Sequence, residues 1–391
     1  MPTTGADLST STARTIDLSA VYTLISGLAV VSRGDRQVQI GAEPPHWLIL
    51  HRAPADAVEI LRHLNGTVPV AEVLASVDAD PVLWADILAT LVDARLLVPA
   101  VDWSFPGVVP GPFLEAERDS LVHRHGIATA RRVLQARQDA VVVVRGSGRI
   151  ATAVATSLVV SGLGHVHQQP DRALRMADLA QLGLPVETAD LGRSTVPRRT
   201  ARGDPGINRA TRADSAILAA NLSRAAPGTR VHAPAAHHRV DLVVLAGDGP
   251  PPPSLAAELT ARGIPHLAIR AGLTNAVVGP FVLPGRSSCL MCALRQRSEI
   301  DRERAAVEDA LRLERVAPPT QLACAAAALV LADVLDHLDG VNEPTTLDGT
   351  LEWALGDTAP RRRSWSVHPE CGCNDVRPDA SAGRSSADRR P

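Results

Sequence analysis

Residues 140–168 read AVVVVRGSGRIATAVATSLVVSGLGHVHQ. Four consecutive valines with no polar break make a strand buried on both faces. The turn Gly146-Ser147-Gly148-Arg149 follows, then a helix of small and branched apolar residues, then a second strand from His165. Strand, Gly turn, helix and second strand begin a doubly wound α/β sheet. Glycines in such a turn let the backbone approach a phosphate, and the helix N-terminus adds oriented N–H groups. The same G-x-G-x-x-A pattern also makes a plain strand-to-helix turn, so the loop alone leaves both readings open. A dinucleotide enzyme places an acid at the end of the second strand. Here that strand ends in Gln168-Gln169, with Asp171 only after Pro170, and hydride transfer is disfavoured.

Reading toward the C-terminus, the alternation continues with a helix over 214–224, strands at 229–233, 239–247 and 265–271, and a helix over 254–263. Asp248 stands just beyond the buried strand DLVVLAG, where open α/β sheets bind ligands. It holds a magnesium ion on a nucleotide or caps the next helix, and position alone does not choose. The low-complexity stretch 191–214 reads as a mobile loop. Two helices over 300–316 and 319–340 and two late strands at 350–355 and 362–368 complete the unit.

Four of the five cysteines form two tight pairs, Cys289/Cys292 and Cys371/Cys373. Four thiolates close a tetrahedral structural zinc site and leave no open position for chemistry. The pairs lie 78 residues apart, so the site staples the chain end to a loop in its middle. Cys324, on an apolar helix, reads as a small core residue. His368 reads as strand, with a supporting role at the metal as the alternative.

Toward the N-terminus, AVVSRGDRQVQIG reads as two strands around a turn at Gly34-Asp35, and HWLILHR as a third. Helical spacing follows at Ala57, Ile60, Leu61 and Leu64, again at Val70, Val73, Leu74 and Val77, and again at Leu83, Ile87, Leu88, Leu91 and Val92. ARLLVPA closes the unit as a strand. The expected organisation is a disordered 1–20, a winged-helix-type α+β domain over 21–100, a connector with a helix over 101–138, an α/β domain over 139–375 and a disordered tail over 376–391.

Bulk properties narrow the function. The 391 residues imply two or three domains. A net charge of −2 gives no reason to expect nucleic acid or an anionic membrane. No basic-then-apolar leader opens the chain, and no uninterrupted apolar run spans a bilayer; the longest candidate, 322–338, carries Asp333, Asp336 and His337. Thiols at metal spacing then place the protein in a reducing cytoplasm. The chain has no lysine, so arginine carries all the fixed positive charge and no step needing a lysine amine occurs here.

Taken together, 141–166, the strand RVDLVVLAGDG with Asp248, and VVGPFVLPGRSSCLMCAL with the first cysteine pair resemble the ThiF/MoeB-like, ubiquitin-activating type of adenylating domain. The resemblance covers about Ala140 to Asp375. It implies a Rossmann-like domain with a structural zinc on Cys289, Cys292, Cys371 and Cys373. It also implies a nucleotide site at Gly146, Gly148, Arg149, Asp248 and Arg212. The N-terminal unit is similar to PqqD-like RiPP recognition elements, which bind precursor leader peptides. The fusion is the arrangement of proteins associated with thiazole/oxazole-modified microcin (TOMM) cyclodehydratases. That resemblance implies leader capture and presentation to a YcaO-type partner that forms azoline rings with ATP.

Leader capture by strand addition places the peptide on the edge formed by Gln37, Val38, Gln39 and Ile40, against a helix wall of Leu83, Ile87 and Leu91. The chain departs from the adenylating pattern in three places. Arg149 stands where an added glycine would, Gln168-Gln169-Pro170-Asp171 replaces an acidic cluster, and Arg212 stands near the place of a lysine. These departures favour a scaffold that keeps the fold without adenylation. The alternatives are a working adenylyltransferase with ATP and magnesium, a homodimer of either kind, and a winged-helix DNA-binding regulator. The last is disfavoured because residues 70–97 hold only Arg95 against several acids.

Overall fold

The structure, a computed structural model, describes residues 16–25, 27–34, 36–42, 47–103, 114–175, 205–312 and 316–374, together with Gly5–Ala6, Phe105 and Asp178. The chain divides into two compact units, Met1–Gln135 and Ala136–Pro391. The tail expected to be disordered lies outside the described residues.

The first unit holds β1 (Gly5–Ala6), β2 (Val21–Leu24), β3 (Val30–Ser32), β4 (Gln37–Ile40), β5 (Leu48–His51), α1 (Ala57–His63), β6 (Asn65–Pro69), α2 (Val70–Ser76), α3 (Pro81–Asp93) and β7 (Leu97–Pro99). They form two sheets, ordered β1-β5-β4-β3 and β6-β2-β7. Alternation in QVQI and LILH turns Val38, Ile40, Leu48 and Leu50 inward onto Ile60, Leu61, Trp84, Ile87 and Leu91, as period-two strands over amphipathic helices require. Asp80 starts α3 as its N-cap, its carboxylate accepting from the Val82 N–H at 2.9 Å. Two expectations change. Residues 16–20 belong to the unit, since Leu18 and Ala20 accept backbone hydrogen bonds from Ala71 and Val70. The pair β2–β6 had no signal because NGTVP is polar and mostly exposed, leaving no alternation to read. Two short helices follow, α4 (Ala100–Trp103) and α5 (Glu115–His125), and then α6 (Ile127–Asp139).

The second unit is built on seven strands. Its elements are β8 (Val141–Arg145), α7 (Arg149–Val160), β9 (His165–Gln169), α8 (Pro205–Ala225), β10 (Leu242–Leu245), α9 (Pro253–Ala261), β11 (His266–Ala271), β12 (Asn275–Val282), α10 (Leu290–Ile300), α11 (Arg304–Leu311), α12 (Thr320–Asp339), β13 (Gly349–Ala354) and β14 (Arg361–Ser364). Strand order is β14-β13-β12-β11-β10-β8-β9. The four strands β9, β8, β10 and β11 are parallel, and β11 to β14 pair antiparallel. Val142 and Val144 face α7 and α12, whereas Val143 faces the α9 side. The valine run therefore has a reason: both sheet faces are covered. The low-complexity stretch is helical from Pro205, nine residues before the expected start, and residue 229–233 contributes only a single bridge from Arg230 to His165.

By length and composition α12 is apolar enough to cross a membrane. Its apolar side is nevertheless buried in the sheet core through Leu322, Ala323, Ala326, Ala327, Val330 and Val334. Its two buried acids are both satisfied. Asp333 accepts from the Thr345 and Thr346 N–H groups at 2.7 and 3.1 Å and from the Thr346 hydroxyl. Asp339 receives a two-pronged pair from Arg137, Nε to Oδ1 at 2.8 Å and Nη2 to Oδ2 at 2.7 Å. The remaining Arg137 nitrogen donates to the Ser161 carbonyl at 3.0 Å.

Removing one partner of a buried ion pair strands the other in a poor dielectric. Asp339→Ala is expected to destabilise the protein by about 3–5 kcal/mol, measured by urea unfolding.

Candidate functional site

The sheet starts one strand in from its edge: β8 leads to β9 on one side, and the chain then returns past β8 to β10 on the other. Such a reversal opens a crevice at the carboxyl ends of β8 and β10. The Gly turn lies there after β8, and Asp248 lies there after β10. Gly146 comes so close to β10 that a Cβ on it would sit 2.2 Å from the Ala246 carbonyl oxygen, and its φ is +152°. Only glycine fits. A Cβ on Gly148 would meet Asp248 Oδ1 at 2.6 Å, so the aspartate lies directly over the turn.

Polar side chains then fix the turn to the loop after β9. Fully buried Ser147 accepts from the N–H groups of Asp171 and Arg172 at 3.0 and 3.1 Å and donates to the Arg172 carbonyl at 2.7 Å. Gln168, in the place expected for an acid, donates to the Gly146 carbonyl at 3.2 Å and to the Thr152 hydroxyl at 3.1 Å. It is a brace for the turn.

Asp248 neither caps α9, whose N-cap is Pro252, nor faces the crevice as a free carboxylate. Arg172 grips it with Nε to Oδ2 at 2.6 Å and Nη2 to Oδ1 at 3.1 Å, and Arg175 adds Nη2 to Oδ2 at 2.7 Å. The other side of the Arg172 guanidinium holds Asp178, at 2.7 and 3.0 Å. Burial works against the Arg172 charge, but the two aspartates outweigh it and hold its pKa above the ordinary arginine value. Two arginines and two aspartates make a neutral, closed network. A magnesium ion needs a free carboxylate oxygen, and both Asp248 oxygens are engaged by guanidinium N–H groups, so the cation does not fit at Asp248 while this network stands.

Beside the network a cleft of about 290 Å³ is lined by Arg145, Asp171, Gly247, Gly249 and Arg312. Arg149 turns away from it, with Nη1 3.2 Å from the Thr320 hydroxyl and 3.4 Å from the Pro318 carbonyl. Arg212 lies on α8, and its side chain is outside the described residues. Sequence reasoning missed Arg172, Arg175 and Asp178. Their only signal was charge alternation in DRALRMAD immediately after the second strand.

The four paired cysteines do converge. Their sulfurs all lie within 4.8 Å of one another, with Cys289–Cys292 at 3.8 Å, Cys289–Cys371 at 3.6 Å and Cys292–Cys373 at 3.5 Å. A tetrahedron with Zn–S bonds of about 2.3 Å has S···S edges of about 3.8 Å, whereas a disulfide needs about 2.05 Å. The set fits zinc. Val282, Leu290, Met291 and Val367 wrap it. That burial pushes the Cys289 thiol up to about 12 and raises Cys373 as well, a cost that a divalent cation reverses by binding thiolates. His368 is not a ligand: its Nε2 is 2.9 Å from Glu299 and its Nδ1 accepts from the Glu370 N–H at 3.1 Å. Cys324 sits on the exposed side of α12, not in the core.

The peptide edge read from the sequence needs correction. Strand β4, Gln37–Ile40, pairs with β3 on one side and β5 on the other, so it has no free edge. Val38 and Ile40 are buried, and so are Ile87 and Leu91 in the helix proposed as a wall. Only Leu83, 41% exposed, is on the surface. The outer edge of β5 instead carries Gly5–Ala6 in parallel, Gly5 opposite Ile49 and Ala6 opposite Leu50.

No protein-family model matches the sequence, and no curated protein matches it. Solved structures do. Against the crystal structure of E. coli MccB with ATP, the TM-score is 0.58 at 16% identity, covering 90% of this chain and 99% of that one. The microcin C7 biosynthetic enzyme MccB in complex with N-formylated MccA gives 0.54 at 14% identity, with the same coverage. PaaA gives 0.56 at 15% identity, covering 87% of this chain and 99% of that one. Likeness at this identity carries the fold, which is the ThiF/MoeB-like one expected from the sequence.

Two outcomes are expected. Metal analysis of the purified protein gives about one zinc per chain, and Cys289→Ser lowers both zinc content and thermal stability. Asp248→Ala lowers stability by about 3 kcal/mol in denaturant unfolding, because it leaves Arg172 and Arg175 short of one carboxylate. A surface metal-binding aspartate would be neutral to the same change.

Proposed function

We propose that the chain binds the leader of a ribosomally made precursor peptide through its N-terminal unit and presents the peptide to a YcaO-type cyclodehydratase, with its own zinc-stapled α/β domain acting as a docking scaffold. The carrying observation is the closed Arg172–Asp178–Asp248–Arg175 network, which occupies Asp248, the acid that the family resemblance assigns to a magnesium nucleotide. Support also comes from the likeness extending over 99% of MccB, a protein solved in complex with MccA. Within the N-terminal unit, β3 (Val30–Ser32) stands at the end of its sheet, and its outer edge suits leader addition better than β4.

A second reading has its own observation. The cleft beside Asp248 is lined by Arg145, Arg312, Gly247 and Gly249, and MccB has been solved with ATP. It makes the chain an ATP-dependent adenylyltransferase acting on a peptide carboxylate, after opening of the arginine network.

One pair of measurements separates the two. Calorimetry with a precursor peptide encoded beside this chain is expected to show binding that disappears with the leader removed. Peptide-dependent pyrophosphate exchange is expected to be absent. Exchange that depends on the peptide and is lost in Asp248→Ala establishes the second reading, and failure of every neighbouring precursor to bind removes the first.

A further inference from the structure

Five arginines gather on one face of the antiparallel half of the sheet: Arg270, Arg297, Arg304, Arg361 and Arg363. Arg270 on β11 pairs across to Val277, Val277 to Glu352, and Glu352 to Arg361 on the edge strand β14, so these four residues form a single row across the sheet. Arg297 and Arg363 stack on the Trp365 ring, at 4.7 and 5.6 Å from its centroid. Only two carboxylates answer these charges. Glu352 is taken by Arg361 at 3.1 Å and Arg363 at 3.3 Å. Glu308 receives Arg304 at 3.1 Å and Arg297 at 3.5 Å on the same oxygen. The Arg270 guanidinium has no hydrogen bond or ion pair among the described residues. Five guanidinium groups against two carboxylates leave three positive charges uncompensated in a partly desolvated place. Burial, together with the nearby Arg304 charge, holds the Arg270 pKa below the ordinary arginine value.

This excess borders a cavity. A cleft of about 270 Å³ is lined by Arg270, Gly272, Asn275, Val277 and Arg304. Asp248 reaches its rim, but its charge is already answered by Arg172 and Arg175. At the other end of the row, Arg361 and Arg363 lie on β14, whose outer edge is unpaired in the sheet and whose four residues are all exposed. Unpaired cations beside a cavity call for an anion, and the planar fork of arginine suits a carboxylate taken in two-pronged fashion.

We propose that the Arg270–Arg304 cleft and the Arg361–Arg363 edge together form a docking site for an acidic, extended segment of a partner protein, with one carboxylate at each end. The spacing sets the pattern of acids. From β11 to β14 is three strand separations, roughly 14 Å, which is about four residues of extended chain. Residues i and i+4 of an extended segment point the same way, so both acids reach the arginine face. Glu352 and Glu308 would keep Arg297 and Arg363 in place on Trp365 while Arg270 takes the incoming carboxylate. Asp248 lines the rim of the cleft, but the site draws its charge from residues outside the Arg172–Asp248 network and the leader edge, so it stands whether or not the leader-binding reading does.

Fluorescence anisotropy with the full chain tests it, using a fluorescein-labelled extended peptide carrying glutamates four residues apart and the same peptide with glutamines. The glutamate peptide is expected to bind, and to weaken as NaCl rises from about 0.05 M to about 0.2 M. Arg270→Gln and Arg361→Gln are each expected to weaken it about tenfold. Arg239→Gln, distant on the surface, leaves it unchanged. Equal binding of the glutamine peptide overturns the site, as does loss to the same extent in Arg239→Gln. Because Arg361 is exposed, its variant keeps the test valid if Arg270→Gln does not fold: wild-type binding by Arg361→Gln overturns the two-ended site. Displacement by inorganic phosphate, with Arg361→Gln unaffected, would mark a small-anion pocket instead and also overturn it.

Discussion

The Arg172 guanidinium is the charge around which the crevice of the second unit is arranged. Its five N–H donors reach two carboxylates and the Ala173 carbonyl, and its own backbone is held by Ser147 of the Gly turn. The loop after β9, the turn after β8 and the aspartate after β10 therefore meet on one side chain. Burying such a group is tolerable only when its donors are satisfied. Once they are, the geometry becomes mutually dependent. The aspartate needs a glycine beneath it at 148, the turn needs a glycine at 146 to pass Ala246, and the hydroxyl at 147 needs the loop that carries Arg172. Asp248 in this arrangement offers no vacant oxygen to a metal-bound nucleotide. The same chain positions that make a crevice at the reversal of strand order are used here to close it.

The other half of the sheet is held differently. Strands β12 to β14 are antiparallel and end at an edge of four exposed residues, so backbone pairing alone leaves them weakly anchored. Two devices compensate. The cysteine set joins the start of α10 to the chain just beyond β14, and Trp365, with its indole N–H on the Thr350 hydroxyl at 3.1 Å, packs the end of β14 onto β13. Burial raises the Cys289 and Cys373 thiols, and a divalent cation at the centre of the four sulfurs supplies the charge that lets them bind as thiolates. The zinc site thus acts on the part of the sheet that the parallel core does not reach.

Much of this was legible in the sequence, and the reason differs by element. The valine run, its strand-to-helix glycine turn and the cysteine doublets are short, local patterns, and the structure holds the strand, the turn and the converging sulfurs that they predict. The strands β2 and β6 carry no alternation, and β12 was hidden because NAVVGPFV is a continuous apolar run bent at Gly279-Pro280. The early start of α8 was masked by arginine, glycine and proline. The peptide edge failed for a more general reason: a hairpin's strands are visible in sequence, but which of them lies at the sheet edge depends on a third partner. For β4 that partner is β5, which pairs with it on the side away from β3. Likewise DRALRMAD looks like a solvated charge run, and only the fold shows that two of its charges turn inward onto Asp248.

The absence of lysine gives these observations a common cause. A lysine at a phosphate site is a compact, mobile point charge that can lose its proton when desolvated, whereas arginine keeps its charge and fixes its donors in a plane. A chain whose only fixed cation is arginine therefore answers a buried aspartate with a rigid fork. Rigid forks saturate carboxylates: Asp339 is saturated by Arg137, Asp178 and Asp248 by Arg172 and Arg175, and Glu352 by Arg361 and Arg363. Where carboxylates outnumber or equal arginines, the result is a closed structural lock, as at the Gly turn. Where arginines outnumber carboxylates, as around Arg270, the same chemistry leaves a directed, unfilled fork. In this fold the first condition holds around Arg172 and the second around Arg270, in a cleft that Asp248 also lines, so recognition is favoured where the charges do not balance.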